Sequence, residues 1–182
     1  MRIISGNWKG RRLKTVKGLE TRPTADKVKG AIFNILGNKV LEAKVLDLFA
    51  GTGNLSWEAL SRGAKEAVLV ERSYEPYKIA VENRALLGAE NKALVIKMDA
   101  FKFLSQNQEK FDLIFLDPPY NHGLIDKALS IIKNLRILNS DGVIVAETAS
   151  TEEILQEVHP LEIRITKDYG DTKIWFLQEV EK

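Results

Sequence analysis

From Lys44 onward the chain repeats one pattern: a short apolar run, then a stretch with helical spacing. Val45–Phe49, Ala67–Glu71, Ala93–Met98, Phe111–Leu116 and Val143–Glu147 read as strands. Between them lie helix-like segments around Trp57–Leu60, Tyr74–Leu87, Phe101–Leu104 and Leu124–Leu135. Runs this short and apolar, separated by helices, suit a parallel sheet covered on both faces. The end differs. Leu161–Lys167 and Lys173–Val180 are joined by Asp168-Tyr169-Gly170-Asp171-Thr172 with no helix between them, so these two strands should be antiparallel. The expectation is a Rossmann-like, doubly wound, mostly parallel seven-stranded sheet closed by an antiparallel C-terminal hairpin.

Four consecutive strands end in an acid: Asp47, Glu71, Asp99 and Asp117. In open α/β sheets ligands bind at the carboxyl ends of strands, so the four acids predict one binding edge. After Asp117 come Pro118, Pro119 and Tyr120. Neither proline has an N–H to give a ladder, so the chain must leave the sheet there. A carboxylate, a free carbonyl and an aromatic ring are then offered together. The pattern predicts a planar base stacked on Tyr120, with Asp117 and the Pro118 carbonyl accepting the hydrogens of its amino group.

The first strand enters the loop Asp47-Leu48-Phe49-Ala50-Gly51-Thr52-Gly53-Asn54. Gly51 and Gly53 permit a tight turn and close approach of backbone to a ligand. Ser56 stands where a dinucleotide fingerprint needs its third glycine, which disfavours a nicotinamide or flavin enzyme. Asp47 beside the loop suits a cationic ligand, such as the amino group and sulfonium of S-adenosylmethionine. Glu71 is placed to accept ribose hydroxyls, and Asp99 with Ala100 to meet an adenine edge. Asp99 is equally a plausible N-cap for the short helix that follows. Phe49, Ala50 and Thr52 complete the candidate cofactor set.

Charge is unevenly spread. Residues 1–29 carry nine Lys or Arg against two acids, a net +7, while the remainder is net −5. A basic segment on a mildly acidic body points to a polyanion, most simply a nucleic acid. Residues 1–22 are expected to form a basic arm, with a short hairpin around Ser5–Gly10, and residues 23–182 the catalytic domain. Arg2, Lys9, Arg11, Arg12 and Arg22 of the arm are candidate nucleic-acid contacts, and Trp8 could stack on a base. Arg22-Pro23-Thr24 marks the boundary, with Thr24 as N-cap and Gly37 as stop of the next helix. Ser150 and Glu153 offer a capping box for a helix after the fifth strand.

Cysteine is absent, and two histidines, His122 and His159, make no metal site. Both read as surface residues, and Trp175 as core. No signal-like start or membrane-length apolar run is seen, so a soluble, cytoplasmic protein is expected, with a monomer favoured.

Several segments together resemble the RsmD family of 16S ribosomal RNA guanine-N2 methyltransferases. They are Arg2–Gly6, Arg22–Thr24, Ile32–Leu36, Leu46–Gly53, Glu58–Ala64, Leu116–Tyr120 and Tyr169–Thr172. The resemblance implies S-adenosylmethionine as methyl donor, S-adenosylhomocysteine as product and no metal. It also implies a guanine of ribosomal RNA, free or in an assembling small subunit, as target. Gly30 stands where a Glu is expected, and Asn54, Ser56 and Trp57 replace small or aliphatic residues after the glycine loop. The residues alone leave open a DNA adenine-N6 methyltransferase, or a non-catalytic RNA-binding or assembly protein keeping the fold.

Overall fold

The computed structural model describes residues 1–17, 23–154 and 159–180. Its strands are β1 (Lys44–Asp47), β2 (Glu66–Glu71), β3 (Ala93–Lys97), β4 (Phe111–Leu116), β5 (Leu138–Ala149), β6 (Leu161–Tyr169) and β7 (Thr172–Glu179). The α-helices are α1 (Pro23–Leu36), α2 (Asn54–Ser61), α3 (Tyr74–Leu87), α4 (Ala100–Gln106) and α5 (Leu124–Leu135). All seven strands form one sheet in the order β3-β2-β1-β4-β5-β7-β6. β1 to β5 run parallel, and β7 pairs antiparallel with both β5 and β6. This is the fold of class I S-adenosylmethionine-dependent methyltransferases, and its parallel sheet closed by an antiparallel hairpin is the one the strand pattern predicted.

Alternation along each strand sends side chains to opposite faces. Val45, Leu113 and Val145 pack under α1, α2 and α3 together with Ile32, Phe33 and Trp57. Leu46, Ile114 and Ile144 face the other way, onto α4 and α5 through Leu104, Ala128, Leu129 and Ile132. Strands buried on both faces explain the nearly unbroken apolar runs. Trp175 lies in the second of these cores.

Two boundaries differ from the sequence reading. β5 is 12 residues long and begins at Leu138, because Leu138 pairs with Phe111 ahead of a register shift in β4. Gly37 ends α1 at Leu36 as expected: it adopts φ 52° and opens a separate 3-10 turn, Gly37–Val40, that buries Val40. α1 begins at Pro23, so Thr24 falls inside it rather than before it. A helix capped by Ser150 and Glu153 would begin at Thr151, but residues 151–154 are not helical, and residues 155–158 lie outside the described residues. Glu153 pairs instead with Lys173 of β7.

The basic arm borrows the core of the main domain. Ile3 and Leu13 are buried in the α1–α3 core, and a single antiparallel bridge, Arg2 to Arg12, closes the hairpin. Gly6 (φ 85°) lies so close to α2 that a Cβ there would sit 1.8 Å from the Ser61 carbonyl oxygen. Ser61 Oγ donates to the Ser5 carbonyl (2.6 Å) and accepts from the Trp8 amide (2.9 Å).

Beneath the hairpin, the fully buried Glu58 carboxylate accepts from the Ile4 amide (2.8 Å), the Ser5 amide (3.1 Å) and Arg62 Nε (2.8 Å). Lys29 Nζ lies 3.5 Å from it, and burial holds that amine's pKa below its ordinary value. Removing one partner of a buried ion pair typically costs about 3–5 kcal/mol. Glu58→Ala should therefore lower unfolding free energy by roughly that amount in urea titrations, and Ile4 and Ser5 amides should lose hydrogen-exchange protection. Protection unchanged at those two amides would mean that Glu58 does not hold the hairpin.

Candidate active site

The strand order reverses between β1 and β4, and a cleft of about 850 Å³ opens at the carboxyl ends there. The structure brings most of the predicted residues to its wall. Phe49, Ala50, Gly51, Thr52, Glu71, Asp99, Ala100, Asp117, Pro118, Pro119 and Tyr120 all line it. Gly51 adopts φ 56°, with open space where a Cβ would stand, so backbone there is directly accessible. Gly53 lies behind the wall at φ 91°, where a Cβ would fall 2.2 Å from Trp57 Nε1. Trp57 in turn donates to the Thr52 carbonyl at 2.8 Å. The unusual tryptophan after the loop is thus its support.

Asp47 departs from its expected role as a cofactor contact. It is buried under the loop, outside the cleft wall, and accepts from Ser56 Oγ at 2.8 Å. Side chains alternate along β1, and this one points into the protein. Burial, opposed by the Ser56 bond, raises its pKa to about 7. The second departure, Ser56, is therefore a partner for this carboxyl. Asn54, the third, lines the cleft and accepts from Lys29 Nζ at 2.8 Å.

Glu71 holds the loops around the cleft: Oε2 accepts from the Gly51 amide (2.9 Å) and Oε1 from the Ser73 amide (2.7 Å). Each carboxylate oxygen still has capacity for a further donor. Asp99 is the N-cap of α4, with Oδ1 accepting from the Phe101 and Lys102 amides. Phe49 and Phe101 meet edge-on, ring centres 6.2 Å apart, as an aromatic wall beside it.

Asp117 follows the last residue of β4 and is open to the cleft. The protein mass around it, then the Glu147 and Asp47 carboxylates, raise its pKa well above the ordinary range. Tyr120 is half-buried, and its hydroxyl donates to Glu147 Oε1 at 2.6 Å with Thr172 Oγ1 3.3 Å away. Burial and that bond raise the phenol's pKa. Burial likewise raises that of Glu147, opposed by the bond from Tyr120.

The cleft also has walls that the sequence reading did not include. Met1, Thr15 and Val16 of the arm face it. Asn83 of α3, fully buried, binds the Lys14 backbone through both amide atoms and reaches the Thr52 carbonyl at 3.3 Å. Nothing local in the sequence marks it, because its partners lie 69 and 31 residues away.

Of the candidate RNA contacts, Lys9 and Arg12 are exposed, while Arg2 pairs with Asp26 at 2.8 Å. Arg11 donates to the Leu86 carbonyl at 3.1 Å. Arg22 lies outside the described residues. Trp8, which could stack on RNA, is half-buried and packs in part against the core. His122 and His159 are both exposed. Tyr169 packs against the core at the end of β6, and Gly170 (φ 62°) makes the turn into β7.

A family model described as conserved hypothetical protein 95 matches residues 1–178. YlbH of Bacillus subtilis, named as a candidate rRNA methyltransferase, is 40% identical over 177 residues, 96% of each chain. Ribosomal RNA small subunit methyltransferase D of Escherichia coli strain K12 is 36% identical over 148 residues, 81% of this chain and 74% of that one. The solved structure of Escherichia coli yhhF, named as a candidate methyltransferase, superposes with a TM-score of 0.91 at 31% identity. It covers 100% of this chain and 99% of that one.

The Asp47 carboxyl gives a test of the site's electrostatics. Folded, it holds its proton to about pH 7; its ordinary value is 3.8. Between those values the native state binds more protons than the unfolded state, so this group's contribution to stability falls as pH rises. The unfolding free energy of wild type minus that of Asp47→Asn should decline from about pH 4 to pH 7 and level off above. Denaturation midpoints across that range measure it. A constant difference would place the Asp47 pKa near that of a free carboxylate.

Proposed function

The chain belongs to the RsmD family, and on that premise we propose that it methylates the exocyclic N2 amine of a guanine in small-subunit (16S) ribosomal RNA. The observation that carries the reading is a shared wall: Asp117-Pro118-Pro119-Tyr120 and the Gly51 loop with Glu71 and Asp99 border one cleft. Acceptors for an amine thus adjoin a pocket of the right chemistry for a nucleoside. The cleft fits S-adenosylmethionine: bare backbone at Gly51, the Glu71 carboxylate for ribose hydroxyls, and Phe49 and Phe101 beside Asp99 and Ala100 for a purine. When bound, that cofactor would supply an electrophilic methyl group whose bond to sulfur breaks as the new bond to nitrogen forms, leaving S-adenosylhomocysteine.

An exocyclic amine on a base is a poor nucleophile because its lone pair is shared with the ring. Asp117 and the Pro118 carbonyl each accept one N–H, which draws the nitrogen toward tetrahedral geometry and frees the lone pair to form the new N–C bond. Positioning does most of the work. The surplus proton passes to Asp117, whose raised pKa makes it a better acceptor, or to water. Tyr120 stacks on the base, which must leave its own helix to enter, a contact worth roughly 1–3 kcal/mol. Residues 1–22 serve as the RNA-contacting arm of the catalytic domain.

Three outcomes test this reading. Asp117→Ala should lower methyl transfer to undermodified 16S RNA or 30S particles at least about a hundredfold while S-adenosylhomocysteine affinity by calorimetry stays the same. Full activity in that variant would refute the mechanism. Nucleoside analysis of the same reactions, run beside DNA, reads the base: N6-methyladenine in DNA would displace guanine N2. Replacing Arg11 and Arg12 together by Glu should weaken RNA binding and flatten its dependence on salt. An unchanged slope would move the RNA surface elsewhere.

A further inference from the structure

We propose that Glu147 and Thr172 are positioning residues for the target base: they hold the Tyr120 ring from the β5–β7 half of the sheet. The inference deepens the reading above and rests on it, since it takes Tyr120 as the stacking face.

Tyr120 follows two prolines that leave the sheet, so no ladder hydrogen bond places it. Its hydroxyl is held instead. Glu147 Oε1 accepts it at 2.6 Å, a short bond of the charge-assisted kind, and Thr172 Oγ1 is 3.3 Å away. Both anchors stand on paired strands: Glu147 opposite Ile174, and Thr172 opposite both Ala149 and Tyr169. A second tether acts alongside the first. The Asn121 amide donates to Glu152 Oε1 (2.8 Å), and Glu152 Oε2 accepts from the Ala149 amide (3.1 Å) at the end of β5. The loop leaving β4 is thus buckled to β5 at Tyr120 and at Asn121. A ring tied at its hydroxyl presents one face, whereas a free loop tyrosine would sample several.

Glu147 also carries charge beside Asp117. The ionisable groups acting on Asp117 are Asp47 from β1 and Glu147 from β5, with Tyr120 on its own loop. Both carboxylates raise its affinity for a proton. Removing the Glu147 charge should therefore shift the acid limb of the rate profile to lower pH.

Steady-state methyl transfer to undermodified 16S RNA separates positioning from mere stabilisation. Tyr120→Phe and Glu147→Ala should each lower kcat/KM roughly tenfold, the size expected for a hydrogen bond to a charged group. The double variant should be no worse than either alone, because both remove one tether. Glu147→Gln keeps an acceptor oxygen, so it should stay close to wild type at pH 8 while its acid limb moves down. S-adenosylhomocysteine affinity should be unchanged in all of them. Losses that multiply in the double variant, or a Glu147→Ala loss that appears equally in cofactor affinity, would overturn the proposal.

A readout without activity accompanies these. With tyrosine labelled at the hydroxyl-bearing ring carbon, the NMR signal lost in Tyr120→Phe should shift in Glu147→Ala and titrate at lower pH in Glu147→Gln. A signal indifferent to Glu147 overturns the tether whatever the activity. A tether intact in a wild type that methylates no RNA overturns the functional reading instead.

Discussion

The buried carboxylate of Glu58 ties together the parts that must stay in register. From the middle of α2 it takes hydrogen bonds from two hairpin amides and from Arg62, with the Lys29 ammonium of α1 beside it. Lys29 continues to the Arg2 carbonyl and to Asn54, the first residue of α2 and part of the cleft wall. One charge thereby links the basic arm, the first helix and the glycine loop. A carboxylate in this position is stable only if its lone pairs are matched by donors, and here they are. The arm is consequently a docked wall of the catalytic cleft, with Met1, Thr15 and Val16 facing it.

On the other side of the cleft the geometry comes from a failure to pair. Pro118 and Pro119 cannot extend the ladder, so β4 releases Asp117 and Tyr120 beside the loop that follows β1. Three carboxyls gather in this region, and two of them, Glu147 and Asp47, add to burial in raising the pKa of the third, Asp117. They differ in access. Asp47 is sealed under the loop and matched by Ser56, Asp117 opens to the cleft, and Glu147 is occupied by Tyr120. The same functional group therefore plays three parts, set by burial and partner.

The sequence made the sheet and its binding edge legible because both follow a local period. Apolar runs of four to six residues, glycines after the first, and prolines after the fourth gave the strands, the loop and the exit, and Asp99 gave a cap that the structure bears. The sequence was less informative wherever a side chain could turn either way. Trp8 stands on a basic hairpin and could stack on RNA, and packing draws it partly onto the core. Asp47 ends its strand like the other acids, but it points under the loop instead of into the cleft. Glu147 lies inside the twelve residues of β5, so its meeting with Tyr120 depends on a crossover and a register that no short window holds.

What the chain's own order of residues determined is the alternation of strand and helix, the edge where acids gather, and the point at which β4 must end. These follow from hydrophobic period and from the missing N–H of proline, which act over a few residues. Tertiary structure alone decided which acids face solvent, what supports the glycine loop, and how the arm meets the cleft. Those outcomes rest on burial and on hydrogen bonds between residues such as Ile4 and Glu58, 54 apart, or Tyr120 and Glu147, 27 apart. Desolvation and partner geometry exist only once the layers have packed, which is why Ser56 and Trp57 read as departures in the sequence and as supports in the fold.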